Sequence, residues 1–175
     1  MNGMKSLVMV MALTTTLAMT AEAGVARGRT VHRNAQGGVT AAEGSAGRGP
    51  NGGAFARGRR VTTNGAGSAT VSSGGAVRTP RGATGARAGQ TTVNSDGSAT
   101  HRSGFKAQGA NGGSIKSTGS TTRNADGTYS GERDTNATGK NGNTYSGETT
   151  WNSSTGVQHT GTCKDPSGNV IPCKK

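Results

Sequence analysis

The chain predicts an all-β fold of about five thirty-residue repeats, arranged as a β-solenoid or as an antiparallel hairpin meander. Three observations carry that expectation. Asn34, Asn64, Asn94 and Asn124 stand thirty apart, and Asn152 follows after twenty-eight. A second set of turns recurs at the same interval, holding Asn51, Asn111 and Asn141 and continuing through TPRGA (79–83) and DPSGN (165–169). The runs between turns are rich in Thr and Val, whose branched Cβ suits a pleated strand, while Asn and Gly supply the backbone angles that tight hairpins demand. A fixed period of this length marks stacked or concatenated supersecondary units.

The N-terminal segment sets the expected address. Lys5 precedes an apolar run from Leu7 to Met19, and Ala21 and Ala23 place small residues at the third and first positions before a break. This pattern reads as a secretory signal peptide over residues 1–23, cleaved after Ala23, and sends the chain to the periplasm or the exterior. Thirteen residues interrupted by Thr14, Thr15 and Thr16 are too few for a helix across a bilayer of about 30 Å, so no membrane span is expected after cleavage. All five Met and all three Leu of the chain fall in this segment. The remainder holds nine Val, two Ile, two Phe, two Tyr and one Trp as its large apolar residues. An ordinary globular core is excluded by that composition, so shape must rest on backbone hydrogen bonds and ladders of small side chains.

Residues 24–60 are rich in Arg and Gly, and the expectation there is loose order or disorder. The stretch 24–93 carries ten Arg against one acid, Glu43, whereas six of the chain's eight acids fall in 94–175. Residues 61–162 form the repeat region proper. Its units have similar halves, since DGTYSGE (126–132) returns as NGNTYSGE (141–148), so each unit is two strands and two turns. Two sets of equivalent positions are expected to face inward: Val39, Ala69, Ala99, Tyr129 and Val157, and Phe55, Gly85, Ile115, Tyr145 and Ile171. Residues 163–175 close the chain as a hairpin, with Cys163 and Cys173 as a disulfide across the turn DPSGN.

The stretches NSDGSAT, GANGGS, NADGTYSGE and GKNGNTYSGETTW resemble the Gly-, Thr- and Asn-rich repeats of small exported proteins of Gram-negative bacteria, over roughly residues 60 to 175. That resemblance implies an envelope or secreted setting. The architecture is also similar to that of curli-type fibre subunits, where Asn, Gly and Gln punctuate stacked hairpins, and this similarity implies self-association. The present chain differs in its period, its lack of regular Gln and its charge of +12.

Catalysis requires a pocket lined largely by apolar side chains, which this composition can hardly build, so no enzymatic activity and no cofactor are expected. His32, His101 and His159 read as surface residues, and Asp96 and Asp126 as turn formers rather than calcium ligands. No phosphate-cradling GxxxxGK[ST] motif is present. The charge is the feature with functional reach. Arg27, Arg29, Arg33, Arg48, Arg57, Arg59 and Arg60 would attract phosphate or carboxylate polymers, namely lipopolysaccharide, acidic exopolysaccharide or extracellular DNA. Two functions follow as expectations: a structural or adhesive protein of the cell envelope or matrix, and a polyanion-binding module using the Arg-rich half.

Overall fold

The computed structural model describes residues 23–173, and within them every regular element is a strand. The signal sequence expected at the N-terminus lies outside the described residues, apart from Ala23. The strands are β1 (Gly24–Arg33), β2 (Val39–Arg48), β3 (Ala54–Thr63), β4 (Ala69–Arg78), β5 (Thr84–Val93) and β6 (Ala99–Gln108). They continue as β7 (Ser114–Arg123), β8 (Tyr129–Thr138), β9 (Thr144–Asn152), β10 (Gly156–Lys164) and the two-residue β11 (Val170–Ile171). All eleven form one sheet in chain order, each antiparallel to its sequence neighbour. The architecture is therefore the meander. A solenoid would pair equivalent positions of successive units, whereas here a hairpin folds each strand back on the one before it. Residues 24–60, where loose order was expected, form β1, β2 and most of β3 in the same ladder.

The reversals explain why the pattern repeats. Each connection from β1 to β9 has five residues, and its fourth is a Gly with positive φ: Gly37, Gly52, Gly67, Gly82, Gly97, Gly112, Gly127 and Gly142. These glycines are fifteen apart, so the structural repeat is one strand and one turn. In the first turn Gly37 N–H donates to Asn34 O at 3.2 Å and Asn34 N–H to Gly38 O at 3.0 Å. That is a three-residue reversal followed by a bulge that needs a left-handed residue. The side chain of Asn34 locks it, its Oδ1 accepting from Gln36 N–H at 3.1 Å and Gly38 N–H at 3.0 Å. Asn64 and Asp165 repeat that lock.

Asn51, Asn111 and Asn141 hold a different place. They are third in their turns, which open with Gly49, Gly109 and Gly139. Asn141 Oδ1 accepts from Asn143 N–H two residues on, as Asp96 does from Ser98 and Asp126 from Thr128. Lining up Asn51 with Asn34 therefore gives an apparent spacing of seventeen and thirteen, where the backbone has fifteen and fifteen. The hairpin between β9 and β10 is tighter: Asn152 Oδ1 accepts from Ser154 and Thr155 N–H, and Gly156 carries the positive φ.

No hydrophobic residue among those described is buried; the buried side chains are Thr40 and Ser117. The positions expected to point inward do fall into rows. Phe55, Gly85, Ile115, Tyr145 and Ile171 share one row of opposed residues, and Val39, Ala69, Ala99 and Tyr129 another, whereas Val157 stands opposite Trp151 in a third. Among the described residues these rows have no second layer to face, and Phe55 is 38% and Tyr129 46% exposed. What little apolar cover exists is made across strands. The Trp151 indole lies over its opposed residue Gly131, where any Cβ would clash with the ring. Tyr145 lies over Gly147 and Gly161, which oppose each other. Such aromatic–glycine cross-strand pairs substitute for a core. The disulfide Cys163–Cys173, with a Cα–Cα separation of 5.3 Å, ties the end of the chain to β10 across β11.

Candidate functional site: one cationic face of the sheet

The two faces of the sheet can be assigned from residue numbers alone. Opposed residues on adjacent strands share a face, and successive residues along a strand alternate. In every ladder an odd-numbered residue opposes an odd-numbered one. All odd-numbered strand residues therefore lie on one face and all even-numbered ones on the other. The cause is loop length: connections of five residues, or three before β10, keep the parity constant.

The faces differ sharply. Every Val, Phe, Tyr and Trp of β1 to β10, and Ile115, is odd-numbered. The even face carries small and polar rows instead, including Ala26, Ala46, Ala56, Ala76 and Ala86 in one row and Thr40, Thr62, Thr70, Thr92, Thr100 and Thr122 in another. Strand cations on the odd face are all Arg, with Glu43 the one acid, whereas the even face carries Arg48, Arg60, Arg78 and Arg102 together with Lys106, Lys116 and Lys164, and three acids, Glu132, Asp134 and Glu148.

Five of the seven Arg expected to bind polyanions come together on the odd face: Arg27, Arg29, Arg33, Arg57 and Arg59. Arg48 and Arg60 lie on the opposite face, so the expected cluster is divided. Arg87 joins the site, since Arg27, Arg57 and Arg87 occupy one row on β1, β3 and β5, thirty residues apart. The signal for Arg87 was present in the period that already links Arg27 to Arg57. One strand lies between successive members of that row, a spacing of about 9.6 Å, and Arg29 and Arg59 form a parallel row about 7 Å along the strands. Glu43 stands between Arg29 and Arg59 in register. Arg57 Nε donates to Ser45 Oγ at 3.0 Å, which holds its guanidinium over β2. Aromatic side chains border the lattice, with Phe55 two residues before Arg57 and Phe105 opposite Arg87.

Arg133 is different in kind. Its guanidinium donates to Ser117 Oγ at 3.1 Å and Ser103 Oγ at 3.0 Å, and Ser117 in turn bonds Thr135 at 2.9 Å. This network covers the middle of β6 to β8, and the Arg there is a cross-strand brace.

The remaining candidates are accounted for by local structure. His159 has both ring nitrogens engaged, with Thr149 Oγ1 at 2.8 Å and Tyr145 Oη at 3.1 Å. His101 bonds Thr91 Oγ1 at 2.8 Å, and it occupies a different row from His159 because the last unit is shorter. Among the described residues no group of three His, Cys, Asp or Glu is placed to hold a metal ion. Asp96, Asp126 and Asp165 are held below the ordinary carboxylate range by hydrogen bonds from the side chain and then the backbone of Ser98, Thr128 and Asn169 respectively. Their charge is used to fasten turns. Two concavities of the described residues lie between turn tips, at Pro80, Arg81, Asn111 and Lys140, and beside Tyr145, Asn136 and Lys164, and those two hold no His or acid. No described helix is long and apolar enough to cross a membrane, which leaves strand-built spans untouched. Comparison of the chain with protein-family models, curated proteins and solved structures found no match.

Proposed function

We propose that this is a non-enzymatic adhesive protein of the cell envelope or extracellular matrix, which holds an anionic polymer on the odd-numbered face of its sheet. One observation carries the reading: the Arg27, Arg57 and Arg87 row and its neighbours Arg29 and Arg59 share a face that has one acid and the aromatic residues. Guanidinium groups bind carboxylate and phosphate in bidentate fashion, and a regular cationic lattice gains affinity by releasing counterions from a polymer. The partners this chemistry fits are acidic exopolysaccharide, lipopolysaccharide and extracellular DNA. Export agrees with two features. Cleavage after Ala23 leaves Gly24, the first residue of β1, as the new N-terminus, and the Cys163–Cys173 bridge suits an oxidising compartment.

The test is binding to duplex DNA and to an acidic polysaccharide across a salt series. Arg27, Arg57 and Arg87 changed together to Gln should lower the slope of log K against log salt on DNA by about 3, at about 0.9 for each phosphate no longer neutralised. Arg48, Arg60 and Arg78, changed to Gln on the even face, should leave it within about 1. Equal losses in the two triple variants would show that the face plays no part.

A further inference from the structure

The sheet ends differently on its two sides. Beyond β10 it is stopped by the two-residue β11, by Pro172, which has no N–H to offer, and by the disulfide at Cys173. On the other side β1 runs its full ten residues, and among the described residues no strand lies beyond it. The hairpin bond from Asn34 N–H to Gly38 O makes those two a hydrogen-bonded pair. Alternation along the ladder then pairs the even residues Gly24 to His32 with β2. The N–H and C=O groups of Val25, Arg27, Arg29, Val31 and Arg33 consequently point outward, away from the sheet, and their side chains are those of the odd face.

This edge disfavours a second copy of itself in its well-overlapped registers. Two β1 strands pairing about a twofold axis normal to the sheet must be centred on one residue. Centred on Arg27, Gly28, Arg29 or Thr30, the pairing opposes Arg27 to Arg27, Arg27 to Arg29, Arg29 to Arg29, or Arg27 to Arg33. Like charges directly opposed destabilise a ladder. The strand that β1 does accept shows the complement: β2 sets Glu43 against Arg29 and Ser45 against Arg27.

We propose that the outer edge of β1 is a docking site for an extended acidic segment of another protein, which adds to the sheet as a twelfth, antiparallel strand. Backbone bonds to Val25, Arg27, Arg29, Val31 and Arg33 give it affinity, and acids opposite Arg27, Arg29 and Arg33 fix its register. The site shares Arg27, Arg29 and Arg33 with the cationic face, but its backbone bonds use main-chain groups that polymer binding on the face does not, so backbone methylation of the probe reports this site alone.

The probe is the peptide ETVTETETV, whose acids oppose Arg33, Arg29 and Arg27 and whose two Val oppose Val31 and Val25 in antiparallel register. Its binding to the purified protein is measured by fluorescence anisotropy. N-methylation of the Glu and Val positions blocks the bonds to β1 and should weaken binding at least tenfold; N-methylation of the Thr positions faces outward and should change it less than twofold. A scrambled peptide of equal composition should bind at least tenfold more weakly, and so should the native peptide to the Arg27→Gln/Arg29→Gln protein, whose sheet is checked by far-ultraviolet circular dichroism. Equal sensitivity to methylation at both sets of positions, or equal binding of the scrambled peptide, would overturn the proposal in favour of diffuse charge attraction.

Discussion

Replacing Gly127 by Ala isolates the energetic role of the turns. Gly127 has φ of +87°, and a Cβ built on it meets nothing within 4 Å, so the substitution introduces no clash and only the backbone term remains. Holding a left-handed conformation costs an L-residue about 1–2 kcal/mol, and the stiffer unfolded chain returns about 0.4–1 kcal/mol, for a net loss of about 1 kcal/mol. Each strand touches only its neighbours, so the loss should stay local, as in repeat arrays. The assay is amide hydrogen exchange. Protection in β7 and β8 should fall about fivefold, with β1 and β2 unchanged, since 1.4 kcal/mol corresponds to a factor of ten. Gly127→Asn should cost less, because Asn tolerates this conformation. Unchanged protection, equal effects of Ala and Asn, or a loss spread over all strands would refute the reasoning.

Gly131→Ala should be worse than Gly127→Ala, by about 1–2 kcal/mol, because the new Cβ enters the Trp151 indole and lies 2.6 Å from Ser120 O; exchange in β8 and β9 reports it. Reduction of the Cys163–Cys173 bridge should release the last turn and β11, removing about 3 kcal/mol of loop-closure restraint from residues 164–173. Limited proteolysis should then trim the C-terminus and leave β1 to β9 intact. Acidification should loosen the turns at Asp96, Asp126 and Asp165. Each carboxyl is depressed in the folded state, so its contribution is complete above the unfolded value of about 3.9 and is lost as pH falls through the folded one. Exchange protection at Ser98, Thr128 and Asn169 should drop below about pH 4, and Asp126→Asn should abolish the pH dependence at Thr128.

The strand class, the turns and the disulfide were legible in residue types because each depends on local chemistry. Asn and Gly specify reversals wherever they stand, and two cysteines bracketing DPSGN need only a hairpin between them. The choice of meander over solenoid was not legible from the period, since a thirty-residue sequence period is compatible with either. It is settled by the bulged turn at Gly37 and its counterparts, which turns the chain back antiparallel after one strand. The half-period was hidden because Asn51, Asn111 and Asn141 occupy the third turn position while Asn34 occupies the first. The face of each Arg was written in the sequence as odd or even numbering, but becomes readable only once the loop length is known. Without it, Arg59 and Arg60 look alike, and they point to opposite sides.

Because every connection is odd in length, the molecule can grow or shrink without scrambling its two surfaces. Inserting or removing a thirty-residue copy would keep each side's chemistry and return the chain to the same end of the sheet, altering only the width, by about 10 Å. The shortened final unit already shows the tolerance, since losing two residues preserves the sorting that losing one would invert for everything downstream. Width is thus an adjustable property here, and variants of different reach can arise from unequal exchange between copies while the surface they present stays the same.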